Sequence, residues 1–80
     1  MEGEKLLREY QVELVRKEIS SKFKNLNRML RVEEVAEYLG VEKRTVRKWC
    51  RIGMIEAVKL GKEWRIPVNS LINFLVERMS

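Results

Sequence analysis

The chain has 80 residues, 45% apolar and 36% charged, which suits one small soluble domain with a thin core and leaves no apolar run long enough to cross a membrane. With no His, no Asp, one Cys and four scattered Gly, it lacks the makings of a Ser/His/Asp triad, a zinc cluster, an EF-hand loop, a phosphate-cradling loop or an internal disulfide, so no enzyme, metal site or cofactor is expected. The net charge of +5 suggests an anionic partner, and the excess sits in residues 43–65, where eight basic residues against two Glu give +6 while residues 1–42 carry −1.

Met1 to Glu9 carries charge throughout, unlike a secretory signal, and the chain is read as cytoplasmic. From Glu4 to about Lys24 a run rich in Leu, Glu, Lys and Arg predicts a helix, supported by Glu13/Lys17 and Glu18/Lys22 at i, i+4 and ended by Asn25-Leu26-Asn27. At 100° per residue this helix has two apolar stripes on opposite sides. Leu6, Leu7, Tyr10 and Leu14 form one, and Val12, Val15, Ile19, Phe23 and Leu26 the other. One small domain covers only one of them. Either the helix breaks near Val12 so that both halves reach one core, or the uncovered stripe binds a second copy or another protein. The stripe farther from the rest of the chain, Leu6, Leu7, Tyr10 and Leu14, is the one expected to mediate dimerisation.

A second helix is predicted from Val32 to Leu39, where Val35, Ala36 and Leu39 share a face and Gly40 supplies a left-handed stop. After a turn at Val41, a third helix covers Lys43 to Arg51 and stops near Gly53. Its Val46, Trp49 and Cys50 lie at i, i+3 and i+4, while Arg44, Arg47, Lys48 and Arg51 occupy nearly the opposite side. The helix thus offers an apolar stripe to a core and four cations outward, and polyphosphate is a partner that would offset their mutual repulsion. Trp49, Trp64 and Cys50 are read as core residues rather than stacking platforms or a redox thiol.

Glu56 to Leu60 and Trp64 to Ile66 predict a hairpin. A two-residue loop at Gly61-Lys62 would set Trp64 opposite Lys59. The preferred reading is a three-residue loop, pairing Leu60 with Trp64 and Val58 with Ile66, which gathers four apolar residues on one face. It turns Lys59 and Arg65 outward with Lys62 at the tip. Pro67 ends the second strand, and Asn69 or Ser70 caps a last helix whose Leu71, Ile72, Phe74 and Leu75 close the core.

Two helices joined by a tight turn at Leu39-Gly40-Val41, the second cationic, make a helix-turn-helix, and the hairpin and helix behind it make the winged variety. The fold class expected is mostly α with a small β-hairpin, an extra N-terminal helix (residues 1–27) preceding the winged unit (28–80). The run Val32-Glu33-Glu34-Val35-Ala36-Glu37-Tyr38-Leu39-Gly40-Val41, then Arg44-Thr45-Val46-Arg47-Lys48-Trp49, then Gly61-Lys62-Glu63-Trp64-Arg65-Ile66-Pro67, resembles the excisionase-type DNA-binding domains, relatives of the MerR regulators, over about Leu30 to Leu75. The resemblance implies that the second helix of the motif enters the major groove and that the wing touches the backbone or an adjacent minor groove. Lys43, Arg44, Arg47, Lys48 and Arg51 would then face double-stranded DNA from the helix, with Lys59, Lys62 and Arg65 on the wing. Arg44 and Arg47 suit guanine edges, the other cations suit phosphates, and Thr45 either reaches a phosphate or packs against the turn.

The family usually places Ser or Thr at the caps of both motif helices, where this chain has Arg31 and Glu42. Glu42 suits the helix dipole yet repels a phosphate approaching the same amides. The function expected is sequence-specific DNA binding by a nucleoid-associated excisionase or transcription regulator, with a recombinase partner in the first case. The alternatives are the recognition head of a larger recombinase or transposase, and a protein-interaction module with a basic face.

Overall fold

A run of good helix formers without Pro has nothing in it to stop a helix, and α1 extends unbroken over Glu2–Phe23. The computed structural model describes residues 2–79, and for Glu2, Glu4 and Lys5 the backbone alone. The break near Val12 is absent. Only one stripe of α1 meets the core, with Ile19 and Phe23 buried and Val15 packed beside them. The helix ends at Lys24, which takes a positive φ of 64° and donates its N–H to the Ser20 carbonyl at 2.7 Å. The Asn25 side chain then accepts the Asn27 N–H at 2.9 Å, an Asx turn that redirects the chain.

That turn delivers a strand absent from the expected elements, β1 (Met29–Arg31), in which Leu30 alone is buried. It leads directly into α2 (Val32–Leu39), and a short turn then leads to α3 (Lys43–Ile52). Both helices finish as expected on a left-handed Gly, Gly40 at φ 70° and Gly53 at φ 79°. In each, the Gly N–H and the next N–H return to the last turn: Gly40 to Glu37 and Val41 to Ala36, then Gly53 to Cys50 and Met54 to Trp49. This paired closure satisfies carbonyls that a helix end leaves open and aims the chain sharply away.

The hairpin consists of β2 (Val58–Leu60) and β3 (Glu63–Pro67), and β3 lies between β1 and β2 in an antiparallel sheet. Its register corrects the three-residue loop: Val58 faces Arg65, Lys59 faces Trp64 and Leu60 faces Glu63, leaving two loop residues. Gly61 has φ 65° and Lys62 has no positive φ, the pattern of a tight hairpin turn that takes Gly first. Gathering apolar residues misled the expectation because the helices cover only the inward face of β3. Ile66, paired with Leu30 across β1, is fully buried there, while Val58 and Leu60 stay exposed on the other side. Lys59 therefore shares the face of Trp64 rather than that of Arg65.

The last helix, α4 (Val68–Arg78), has its cap two or three residues before the one expected at Asn69 or Ser70. Pro67 occupies the cap position, the Val68 N–H is taken by the Arg28 carbonyl at 3.1 Å, and Ser70 is buried inside the helix. Leu71, Ile72 and Phe74 are buried as expected, with Leu75 partly so, and α1 packs across this helix. Mostly helical, with a small antiparallel sheet and an N-terminal helix ahead of the helix-turn-helix region, the architecture matches the fold class expected.

Candidate nucleic-acid interface

The spacing that divides α3 into two sides is realised in space. Val46 and Cys50 are buried, and Trp49 packs against the core with its ring 4.9 Å from that of Phe74. Burial pushes the Cys50 thiol up from its ordinary range, which keeps it protonated and inert. On the other side Lys43, Arg44, Arg47, Lys48 and Arg51 are all exposed, and Thr45 is half-buried between the two sides.

These cations differ in what already holds them. Arg44 is clasped by the carboxylate of Glu42, its Nε 3.1 Å from Oε2 and its Nη2 3.5 Å from Oε1. On the hairpin, Arg65 reaches Glu63 at 3.1 Å and donates to the Trp64 carbonyl at 3.2 Å, which leaves its side chain only 21% exposed. Lys59 rests its ammonium 5.4 Å from the centre of the Trp64 ring. Among the described residues, no ion pair engages Lys43, Arg47, Lys48, Arg51, Lys59 or Lys62. Sequence reasoning missed the two carboxylate clasps, although Glu42/Arg44 and Glu63/Arg65 share the same i, i+2 spacing.

A small cleft joins the helix to the hairpin. Arg47 lines it from α3, Lys62, Glu63, Trp64 and Arg65 from the hairpin, and Val32 and Glu33 from the start of α2. The unpaired cations of α3 are thereby continuous with the hairpin tip. The groove between α2 and α3 carries the opposite charge in part, with Glu33, Glu37 and Glu42 beside Lys43 and Arg44. Neither motif helix has a capping hydroxyl. Arg31, which has no acceptor in its side chain, instead donates its backbone N–H to Glu34 at 3.0 Å, and Glu34 also pairs with Arg28.

The expected dimerisation residues Leu6, Leu7, Tyr10 and Leu14 lie together on α1, exposed and turned away from the core. No helix among the described residues is long and apolar enough to cross a membrane. Nor does any group of three or more His, Cys, Asp or Glu among them have a geometry that could hold a metal ion.

Comparison with curated proteins and with solved structures finds no match. Comparison with protein families matches residues 29–79 to a helix-turn-helix domain, the architecture of small DNA-binding proteins. The matched stretch takes in the sheet, both helices of the motif and α4, and it leaves α1 outside. With most of its length matched and the two helices, turn and hairpin in the expected order, the chain belongs to the helix-turn-helix domain family.

Proposed function

We propose that this chain binds double-stranded DNA sequence-specifically, as a small excisionase-like or MerR-like transcription regulator, with α3 in the major groove and the hairpin as a wing on the backbone. The observation that carries this reading is the outer side of α3, where Lys43, Arg47, Lys48 and Arg51 stand exposed and form no ion pair among the described residues. A run of phosphates would neutralise that repulsion. Arg47 and Arg44 are assigned to guanine edges, and of the two Arg47 carries more, since Arg44 must first loosen its hold on Glu42. Lys43, Lys48, Arg51, Lys59, Lys62 and Arg65 are assigned to phosphates, and Thr45 to a phosphate or the motif turn. The protein acts by occupying and bending its site on the nucleoid, and an excisionase role adds a recombinase as partner.

Selection of bound duplexes from a random pool tests the reading and should return a defined consensus. On that site Arg47→Ala should cost about 1–3 kcal/mol and relax the sequence preference, while Lys62→Ala should weaken all duplexes alike. Equal, sequence-blind losses for the two variants would show that the recognition helix is wrongly assigned.

A further inference from the structure

On α1, Leu6, Leu7, Tyr10 and Leu14 are 65%, 58%, 63% and 48% exposed, and they fall on one side of the helix. Val15, Ile19 and Phe23, on the other side, are the residues that meet the core. Length adds to this exposure. At about 1.5 Å per residue the 22 residues of α1 span roughly 33 Å, whereas the 11 residues of α4 span roughly 16 Å. The N-terminal half of α1 projects past the helix it packs on, and the molecule measures 45 × 26 × 20 Å.

We infer that this stripe binds the same stripe of a second copy, the two α1 helices running antiparallel across a two-fold axis near Tyr10. Charge selects the occupant. Over Glu2–Phe23, five Glu balance five Lys and Arg, so α1 is neutral while the rest of the chain carries the whole +5. A neutral helix has no preference for a strongly acidic or basic partner, and a second copy can approach it without the repulsion that the basic face of α3 and the hairpin would exert. Charge and shape also select the direction. A parallel pair would bring both basic domains to one end and set Lys17 against Lys17, whereas an antiparallel pair sends the domains to opposite ends and seats Leu7 of one copy against Leu14 of the other. Such an interface is isologous and closes on itself.

Four partly exposed side chains give a few hundred Å² per copy, below the roughly 1,200 Å² total of stable specific interfaces, so the dimer is weak and reversible. Analytical ultracentrifugation needs no DNA, so its outcome is separate from that of the DNA-binding reading. The intact chain should sediment as a concentration-dependent monomer–dimer mixture, and a Leu7→Glu, Leu14→Glu variant as a monomer with unchanged circular dichroism and melting temperature, since both side chains are exposed. Oxidation of a mixture of Leu7→Cys and Leu14→Cys chains should give mainly the mixed disulfide. A parent chain still monomeric at several hundred µM, or a double Glu variant that associates as the parent does, would overturn the inference; a predominance of Leu7→Cys homodisulfides would overturn its antiparallel form.

Discussion

Nine residues are candidates for contact with DNA, and their immediate neighbours set them apart. Arg44 and Arg65 are each tied to a Glu two residues away, and Lys59 is laid over an indole, while Arg47, at the cleft between helix and hairpin, forms no ion pair among the described residues. Glu42 is the residue whose role divides two accounts of α3. It sits at the helix cap, where its charge favours the dipole, and it faces the side on which phosphates would arrive. Glu42→Gln should therefore raise affinity for duplexes of every sequence several-fold at low salt and lower stability by about 0.3–1 kcal/mol. Both effects are read by titration at two salt concentrations and by urea unfolding. A loss of affinity confined to the preferred site would mean instead that Glu42 holds Arg44 in position for a base.

At the scale of elements, the helices and the two strands of the hairpin were legible in the sequence, while β1 and the hairpin register were not. Val32 to Leu39 could be bounded from its residues because the apolar positions recur at helical spacing and Gly40 marks the stop, and the same holds for α3 and Gly53. β1 has three residues and one buried side chain, too little to show an alternation, and it exists because β3 offers it an edge. The hairpin register turned on which face of the sheet the helices cover, a property of packing that β2 and β3 do not carry in themselves. The start of α4 likewise depended on the Arg28 carbonyl, forty residues earlier in the chain. The two left-handed glycines do the most to place α3. At Gly40 an added Cβ meets nothing within 4 Å, so only the backbone conformation resists substitution. Gly40→Ala should lower stability by about 1 kcal/mol, measured as a lower urea midpoint at unchanged slope. An unchanged midpoint would show that the turn does not depend on glycine.

For the molecule as a whole, charge is distributed unevenly along the chain. The basic excess is confined to α3 and the hairpin, one stripe of exposed apolar side chains runs along the N-terminal part of α1, and the core connects the two regions through Ile19, Phe23 and α4. The stripe of α1 left bare is the one its distance from the motif in sequence pointed to, Leu6, Leu7, Tyr10 and Leu14, while Ile19 and Phe23 of the other stripe are buried. The central claim is that the cationic side of α3, together with the hairpin, meets the phosphates of duplex DNA. Its most direct measurement is the dependence of duplex affinity on salt. With about five phosphates neutralised, log K against log salt concentration should fall with a slope of about −4 to −5, whereas a slope near zero, or no duplex binding at low salt, would contradict the account.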